Sequence, residues 1–332
     1  MKYYETHYEE YVSSINKLNL HPELLPIINS LPNKINQLTN IILYGPSGVG
    51  KYSQSLYLLK KYSPSDLKYE KKITIQTEKQ EYSYKISDIH FEIDMSLLGC
   101  NSKILWNEIF LQIIDIISVK QNKTGIILCK NFHLIHAELL EIFYSYMQQY
   151  NSIYSNIKII FFILTEQLSF IPTKILNVCH ILRLQRPSKD LYKSLYNINN
   201  NGDLINNISS ESIVNIKEIR SFYLIKDLNA IPKDVFNTIC DNIIDWILIP
   251  NKLEFTNLRD ILYDILTYNL DVAQCIWYIL KYFIMNDCLD GEKITDILIQ
   301  SYYFFKYYNN NYRPIYHLES IIIYIIIKVH GY

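Results

Sequence analysis

The chain has 332 residues, of which 49% are hydrophobic, and its 32 lysines and arginines are balanced by 33 aspartates and glutamates. This length and apolar content exclude wholesale disorder and predict two or three domains, each with its own core. A formal charge of −1 excludes a protein that coats nucleic acid through bulk positive charge, because such binding needs an excess of cations. Any contact with DNA must therefore be local.

The first half of the chain alternates short apolar runs, typical of strands, with longer helical patterns. The predicted strands are residues 41–44, 73–77, 81–86, 90–93, 125–129 and 157–164, and the predicted helices are 52–62, 102–119 and 136–150. Strands that alternate with helices in this way indicate a parallel sheet with buried strands. The pair at 73–77 and 81–86 is predicted to form a hairpin inserted before the strand at 90.

Strand patterns fade after Pro187, and the rest of the chain shows helical periodicity only. The predicted helices are 188–196, 211–224, 232–249, 255–268, 271–286, 292–307 and 315–329, with an Asn-rich loop at 197–207. The chain is therefore predicted to be an α/β domain followed by an all-helical half.

Cysteine spacing and the chain ends indicate an intracellular, soluble protein. The six cysteines form no C-x-x-C pair and no cluster with zinc spacing, so we expect reduced, mostly buried thiols. The N-terminus lacks the pattern of a signal peptide, and the most apolar run, 321–327, is too short to span a bilayer. Only five arginines and three alanines occur beside 30 tyrosines, a composition typical of an A/T-biased genome such as that of a large DNA virus.

A glycine-rich loop directly follows the strand at 41–44 and opens a helix. This strand–loop–helix context is that of a P-loop, in which backbone N–H groups and a lysine hold phosphates. The alternative is an ordinary glycine-rich turn. The candidate nucleotide-binding residues are Gly45, Pro46, Ser47, Gly48, Val49, Gly50, Lys51, Tyr52 and Ser53.

Two features of this candidate site argue against hydrolysis. The residue after Lys51 should carry a hydroxyl that ligates Mg²⁺, but it is Tyr52, and Ser53 points about 100° further around the helix. The strand at 125–129 should end in acidic residues but ends in Lys130 and Asn131. Lys130 could stand in for the cation, and His133 is either a base or a structural histidine. We do not expect Mg²⁺ to be coordinated by the loop.

The order of these motifs resembles the clamp-loader branch of AAA+ proteins, and most closely the replication factor C small subunit whose own ATP site is degenerate. The resemblance rests on the P-loop followed by a bulky and then a hydroxyl residue, and on four further segments. Those segments are SDIHFEIDMS (87–96), IPTKILNVC (171–179), LYDILT (262–267) and IYHLE (315–319).

The resemblance implies a three-part subunit of a five-membered ring that places a sliding clamp on primer–template DNA. Its parts would be an AAA+ P-loop domain with a parallel sheet (1–185), a helical lid (186–240) and a helical collar (241–332). The implied partners are other clamp-loader subunits, the clamp and primer–template DNA, with no membrane, at a replication site in the nucleus or cytoplasm. The implied cofactor is ATP or ADP, bound without hydrolysis.

The sequence departs from this family where the family's mechanism is most demanding. Val178 falls at the position of the arginine that reaches a neighbour's ATP, and Arg183 lies five residues further on. Tyr144 and Ser145 fall at the pair of basic residues that face DNA. The two sensor positions of the family fall near Thr165 and Glu166, and on Lys217 with Arg220 one turn away.

These observations leave three hypotheses open. The first is a structural, non-hydrolysing clamp-loader subunit, for which Trp106 on the helix at 102–119 is a candidate clamp contact. The second is an active ATPase that uses Ser53 and a carboxylate from Glu92 or Asp94. The third is an interaction protein that has lost nucleotide altogether.

Overall fold

The computed structural model describes residues 7–76, 81–150, 156–188, 191, 194, 235–249, 255–308 and 313–331. The chain divides into two compact units, Met1–Leu228 and Asn229–Tyr332. The predicted lid, residues 186–240, and its predicted helices at 188–196 and 211–224 lie mostly outside the described residues. Within the part of the chain that is described, no helix is both long and apolar enough to cross a membrane.

A seven-stranded sheet organises the first unit. Its strands are β1 (Asn40–Tyr44), β2 (Lys71–Gln76), β3 (Glu81–Ile86), β4 (His90–Asp94), β5 (Thr124–Lys130), β6 (Lys158–Thr165) and β7 (Cys179–Arg183). They lie in the order β2-β3-β4-β5-β6-β1-β7. Five neighbouring strands of the sheet, β4, β5, β6, β1 and β7, pair in parallel. Strands β2 and β3 form an antiparallel hairpin, and β3 pairs with β4 in the antiparallel direction.

Helices pack on both faces of this sheet, which explains why the central strands are continuous apolar runs. The α-helices of this unit whose bounds are described are α1 (Tyr8–Lys17), α2 (Leu25–Ser30), α3 (Lys51–Lys60), α4 (Ser102–Val119), α5 (Ala137–Gln149) and α6 (Thr173–Leu176). One core, on the side of α4 and α5, includes Trp106, Phe143 and Phe161. The core on the other side includes Tyr8, Leu56 and Phe162.

The second unit consists of helices wherever it is described. These are α7 (Val235–Leu248), α8 (Phe255–Thr267), α9 (Val272–Met285), α10 (Gly291–Tyr308) and α11 (Pro314–His330). They enclose one core that includes Ile243, Phe283 and Ile325. The side chain of Arg259 on α8 forms a two-pronged ion pair with the buried carboxylate of Glu319 on α11, with Nη2 3.1 Å from Oε2.

The structure confirms the predicted fold class, a mostly parallel α/β sheet followed by an all-helical region. The predicted strands from 41–44 to 157–164 are present, and the hairpin adjoins β4. The sequence did not predict α1 and α2, and β7 was anticipated only as a strand containing Arg183. Of the six cysteines, Cys129, Cys240 and Cys275 are buried, Cys100 is exposed, and all are free thiols.

Candidate nucleotide site

The P-loop leaves β1 at Gly45 and enters α3 at Lys51, as the sequence predicts. Gly48 and Gly50 adopt left-handed backbone conformations, with φ of 70° and 94°, which glycine adopts without steric cost. Gly45 is held for another reason, since a Cβ atom there would lie 2.2 Å from the carbonyl oxygen of Leu184. The geometry of the loop thus favours glycine at all three of its glycine positions.

Lys51 is the first residue of α3, and its side chain folds back over the loop. Its Nζ donates to the carbonyl oxygens of Gly45 and Pro46 at 2.7 Å each. Gly50 is the N-cap residue of α3 and, because it has no side chain, it forms no side-chain hydrogen bond to the first backbone amides of the helix. Backbone N–H groups at a helix N-terminus, together with a lysine ammonium, are the groups that hold phosphate in such loops.

The chain segment before β1 fixes the shape of the loop. The buried ring of His21 hydrogen-bonds through Nε2 to the carbonyl oxygen of Val49 at 2.6 Å. The amide oxygen of Asn19 accepts from the backbone of His21 and from Nε2 of Gln54 on α3, at 2.9 Å each. Sequence reasoning missed Asn19 and His21, because nothing in their local pattern places them beside a loop 28 residues away.

A three-residue network includes Tyr52 and Lys130, which stand at the sequence positions where a metal-dependent P-loop site would have a hydroxyl and a carboxylate. The phenol of Tyr52 donates to Oε2 of Glu92 at 2.6 Å, and Nζ of Lys130 donates to Oε1 of the same carboxylate at 2.8 Å. Lys130 also lies over the Tyr52 ring, 4.9 Å from its centroid. Each oxygen of the Glu92 carboxylate therefore accepts a hydrogen bond from one of these two side chains. The Glu92 side chain is only 5% exposed.

A second carboxylate next to this network is also engaged. Both oxygens of Asp94 accept from Nδ2 of Asn131 at 3.0 Å. Asp94 also accepts from the backbone N–H and the hydroxyl of Ser96 at 3.1 and 2.6 Å. Glu92 and Asp94 are therefore close to the loop, but each is held by a group of this chain.

Two tyrosines of α1 cover the network from the N-terminal side. The ring of Tyr11 meets the ring of Tyr52 edge to face, with centroids 5.0 Å apart, and the ring of Tyr8 lies 5.1 Å from that of the buried His90. Burial, and then the charge of Glu92, raises the pKa of both Tyr8 and Tyr52. Tyr52 is thus a neutral phenol that donates to Glu92, not a phenolate that could ligate a metal.

Glu166 follows β6 and lies between two basic side chains of the site. Its carboxylate is 3.9 Å from Nζ of Lys51 and 3.8 Å from Nε2 of His133. The preceding residue, Thr165, is fully buried and donates its hydroxyl proton to the carbonyl oxygen of Gln167 at 2.8 Å. The sensor position predicted at 165–166 therefore places an acidic side chain beside the P-loop lysine.

The position predicted to lack an arginine finger is occupied by a packing residue. Val178 is half-buried against the core of the first unit, and its carbonyl oxygen accepts from Nδ2 of Asn40. Arg183 is the last residue of β7 and is exposed. The predicted lid residues Lys217 and Arg220 lie outside the described residues.

The structure corrects one predicted contact on α4. Trp106, the candidate clamp contact, is 0% exposed and packs among Phe110, Phe143 and Tyr146. It is a core residue, because the apolar face of α4 that carries it turns toward the sheet and α5. Tyr144 also packs partly against that core, while its neighbour Ser145 is exposed.

Comparison with known proteins gives one sequence relative and several distant structures. No family model matches the chain. Replication factor C subunit 5 of Saccharomyces cerevisiae is 28% identical over 120 residues, which make up 34% of this chain and 34% of that protein. The match thus spans about a third of that relative's length.

The solved structures that resemble this chain do so at low identity. Two RuvB mutants of Thermotoga maritima are 12% and 11% identical, each with a TM-score of 0.35, covering 79% and 80% of this chain and 70% and 74% of theirs. PCH-2 of C. elegans is 15% identical with a TM-score of 0.31, covering 72% of this chain and 58% of its own. Likenesses this distant carry no functional argument. The strand order and the P-loop described above establish the α/β architecture independently of them.

Proposed function

We propose that this chain is a clamp-loader subunit of the replication factor C kind, which binds ATP or ADP through its P-loop and does not hydrolyse it. In this role it serves as a structural member of a hetero-oligomeric ring that loads a sliding clamp onto primer–template DNA. The proposal combines the similarity to replication factor C subunit 5 with the geometry of the nucleotide site.

The observation that carries the non-hydrolysing part is the network of Tyr52, Glu92 and Lys130. Hydrolysis at a P-loop needs a metal ion held by a hydroxyl and a carboxylate, and a group that positions the attacking water. Here the hydroxyl position holds a phenol that donates to Glu92, and the carboxylate position holds an ammonium that neutralises Glu92. The groups that would bind the metal instead bind one another.

The retained binding part rests on the loop itself. Gly48 and Gly50 keep the left-handed conformations of a phosphate-holding loop, and Lys51 stays beside it, 13% exposed. Left-handed glycines also occur in ordinary turns, so the support for phosphate binding comes from their combination with a lysine at the first position of the helix. This combination supports nucleotide binding.

The alternative of an active ATPase would need Ser53 and either Glu92 or Asp94 to bind the metal. Both carboxylates are already engaged, by Tyr52 and Lys130 in one case and by Asn131 in the other. This geometry weighs against that alternative.

The alternative of an interaction protein without nucleotide is favoured by one observation. The ammonium of Lys51 already has two carbonyl partners and the carboxylate of Glu166 nearby. Isothermal titration of the purified chain with ADP separates this alternative from the proposal, since only the proposal predicts saturable binding that Lys51→Ala abolishes.

The proposed function is tested by tagging the full chain in its natural host and identifying its partners by mass spectrometry. Recovery of other clamp-loader subunits is the expected result, and the complex should retain its ATP turnover when this chain carries Lys51→Ala. Failure to associate with any clamp-loader subunit would contradict the assembly role. Turnover by the isolated chain that depends on Lys51 would contradict the structural role.

A further inference from the structure

We propose that nucleotide binds to this P-loop without a divalent cation, and that the ammonium of Lys130, held by Glu92, takes the place of Mg²⁺. This inference rests on the proposed nucleotide binding and adds to it the charge partner of the phosphates.

The side chains at this site differ from the ligands that Mg²⁺ requires in a P-loop. Mg²⁺ demands near-octahedral oxygen coordination, and in P-loop sites the protein supplies a short hydroxyl side chain and a carboxylate. Tyr52 occupies the hydroxyl position, and its phenol proton is committed to Glu92 at 2.6 Å. A neutral phenol, whose oxygen lies at the far end of an aromatic ring and whose proton is donated to Glu92, is a poor replacement for that short hydroxyl.

The charge of Lys130 also opposes the binding of Mg²⁺ at this site. Lys130 occupies the carboxylate position at the end of β5, with Nζ 2.8 Å from Glu92. A dication that approached Glu92 would meet this ammonium at close range, and like charges at such distances repel strongly where water is scarce. To enter, Mg²⁺ would have to separate Lys130 from a carboxylate that is only 5% exposed.

The other acidic side chains near the loop are engaged by groups of this chain. Both oxygens of Asp94 accept from Asn131, so this carboxylate cannot turn toward the loop without giving up those bonds. Among the residues that the structure describes, no group of three His, Cys, Asp or Glu side chains could hold a metal. Glu166 lies between the basic side chains of Lys51 and His133, so each of the three carboxylates near the loop already faces a partner of this chain and the donor set does not fit Mg²⁺.

Lys130 is the side chain that replaces the metal in this proposal. Lys130 lies 4.9 Å from the ring centroid of Tyr52, and Tyr52 is the second residue of the helix whose N-terminus receives the phosphates. The Lys130–Glu92 pair adds no net charge, but the ammonium groups of Lys130 and Lys51 can each donate a hydrogen bond to a phosphate oxygen. Lys130 is 28% exposed, so a ligand can reach it.

The test is binding of fluorescently labelled ADP to the full chain, titrated once in excess EDTA and once in excess MgCl₂. We expect dissociation constants that agree within about twofold. Lys130→Ala should weaken binding in EDTA roughly tenfold or more, the loss expected for a hydrogen bond to a charged group, while Lys130→Arg should restore most of it. Lys174→Ala, which removes an exposed lysine of α6, is the matched control and should bind as the parent does.

A second variant turns the inference around. Tyr52→Ser together with Lys130→Asp restores the hydroxyl and the carboxylate of a metal site, so its ADP binding should become dependent on MgCl₂. Circular dichroism of each variant checks that it is folded.

Each outcome of the parent titration decides the matter. Equal binding in EDTA and MgCl₂ that falls with Lys130→Ala supports the inference. Binding that appears only with MgCl₂, or that is indifferent to Lys130→Ala, overturns it and leaves the proposed nucleotide site standing. No binding under either condition overturns both.

Discussion

Replacing Lys130 with methionine should destabilise the first unit by about 2 kcal/mol. Methionine keeps the aliphatic stem over the Tyr52 ring but removes the ammonium, leaving Glu92 with one charge-neutral partner. Breaking a buried ion pair costs about 3–5 kcal/mol, whereas an exposed pair is worth about 0–1 kcal/mol. Glu92 is 5% exposed and Lys130 is 28% exposed, which places this pair between the two limits.

The assay is urea unfolding followed by tryptophan fluorescence. The chain has three tryptophans, and Trp106 is the one in the first unit. Changing Trp246 and Trp277 to phenylalanine makes the signal report that unit alone, which matters because a chain of two units need not unfold in one step. Lys174→Met is the matched control, since it removes an exposed lysine in the same way.

The decisive comparison is the double variant Lys130→Met with Glu92→Gln. Removing both charges leaves no buried unpaired carboxylate, so it should recover part of the stability that the single change loses. A single change that costs less than about 0.5 kcal/mol, the usual effect of a surface substitution, would refute the claim that Lys130 neutralises Glu92. A double variant that is as unstable as the sum of its single changes would also refute it.

Two further predictions concern the loop and a buried histidine. Gly45→Ala should lower the free energy of unfolding in urea by about 1–3 kcal/mol, the usual effect of overpacking, because the new Cβ would lie 2.2 Å from the Leu184 carbonyl oxygen. Gly291→Ala is the control, because no atom lies within 4 Å of its new Cβ, and it should not destabilise the chain. Complete burial lowers the pKa of His90 to about 4 from 6.5. Between pH 6.5 and 4 the imidazole of His90 is therefore protonated in the unfolded chain but neutral in the folded chain. The free energy of unfolding should fall by up to about 3 kcal/mol as the pH falls through that range. The free energy of unfolding, measured at pH 7 and at pH 4.5, should fall less in His90→Gln than in the parent protein. An equal fall in the two proteins would contradict the assignment of the pH dependence to His90.

Local patterns predicted the elements of the candidate nucleotide site because each signal lies within a few residues. The P-loop glycines follow a strand and precede a helix, and the end of the strand at 125–129 visibly lacks a carboxylate. The proposal that Lys130 stands in for a cation also came from this position. Its partnership with Glu92 did not, because it depends on β4 lying beside β5 in a register that pairs Glu92 with Leu128 and Asp94 with Lys130.

The contributions of the N-terminal segment were out of reach for the same physical reason. Tyr11 reaches the site across 41 positions of sequence, and His21 reaches Val49 across 28. Such contacts are set by how helices pack on the sheet, not by local propensity. The error at Trp106 has a different source: α4 is apolar around much of its circumference, with Ile104 and Leu111 exposed while Trp106 is buried, so periodicity alone could not choose its outer face.

The central claim is that this chain binds nucleotide without hydrolysing it. The most direct test incubates the purified full chain with radiolabelled ATP and measures bound nucleotide and released phosphate in the same sample. The account predicts about one nucleotide bound per chain, lost in Lys51→Ala, with no phosphate released above background whether Mg²⁺ is present or chelated. Phosphate release that requires Mg²⁺ and disappears in Lys51→Ala would contradict it.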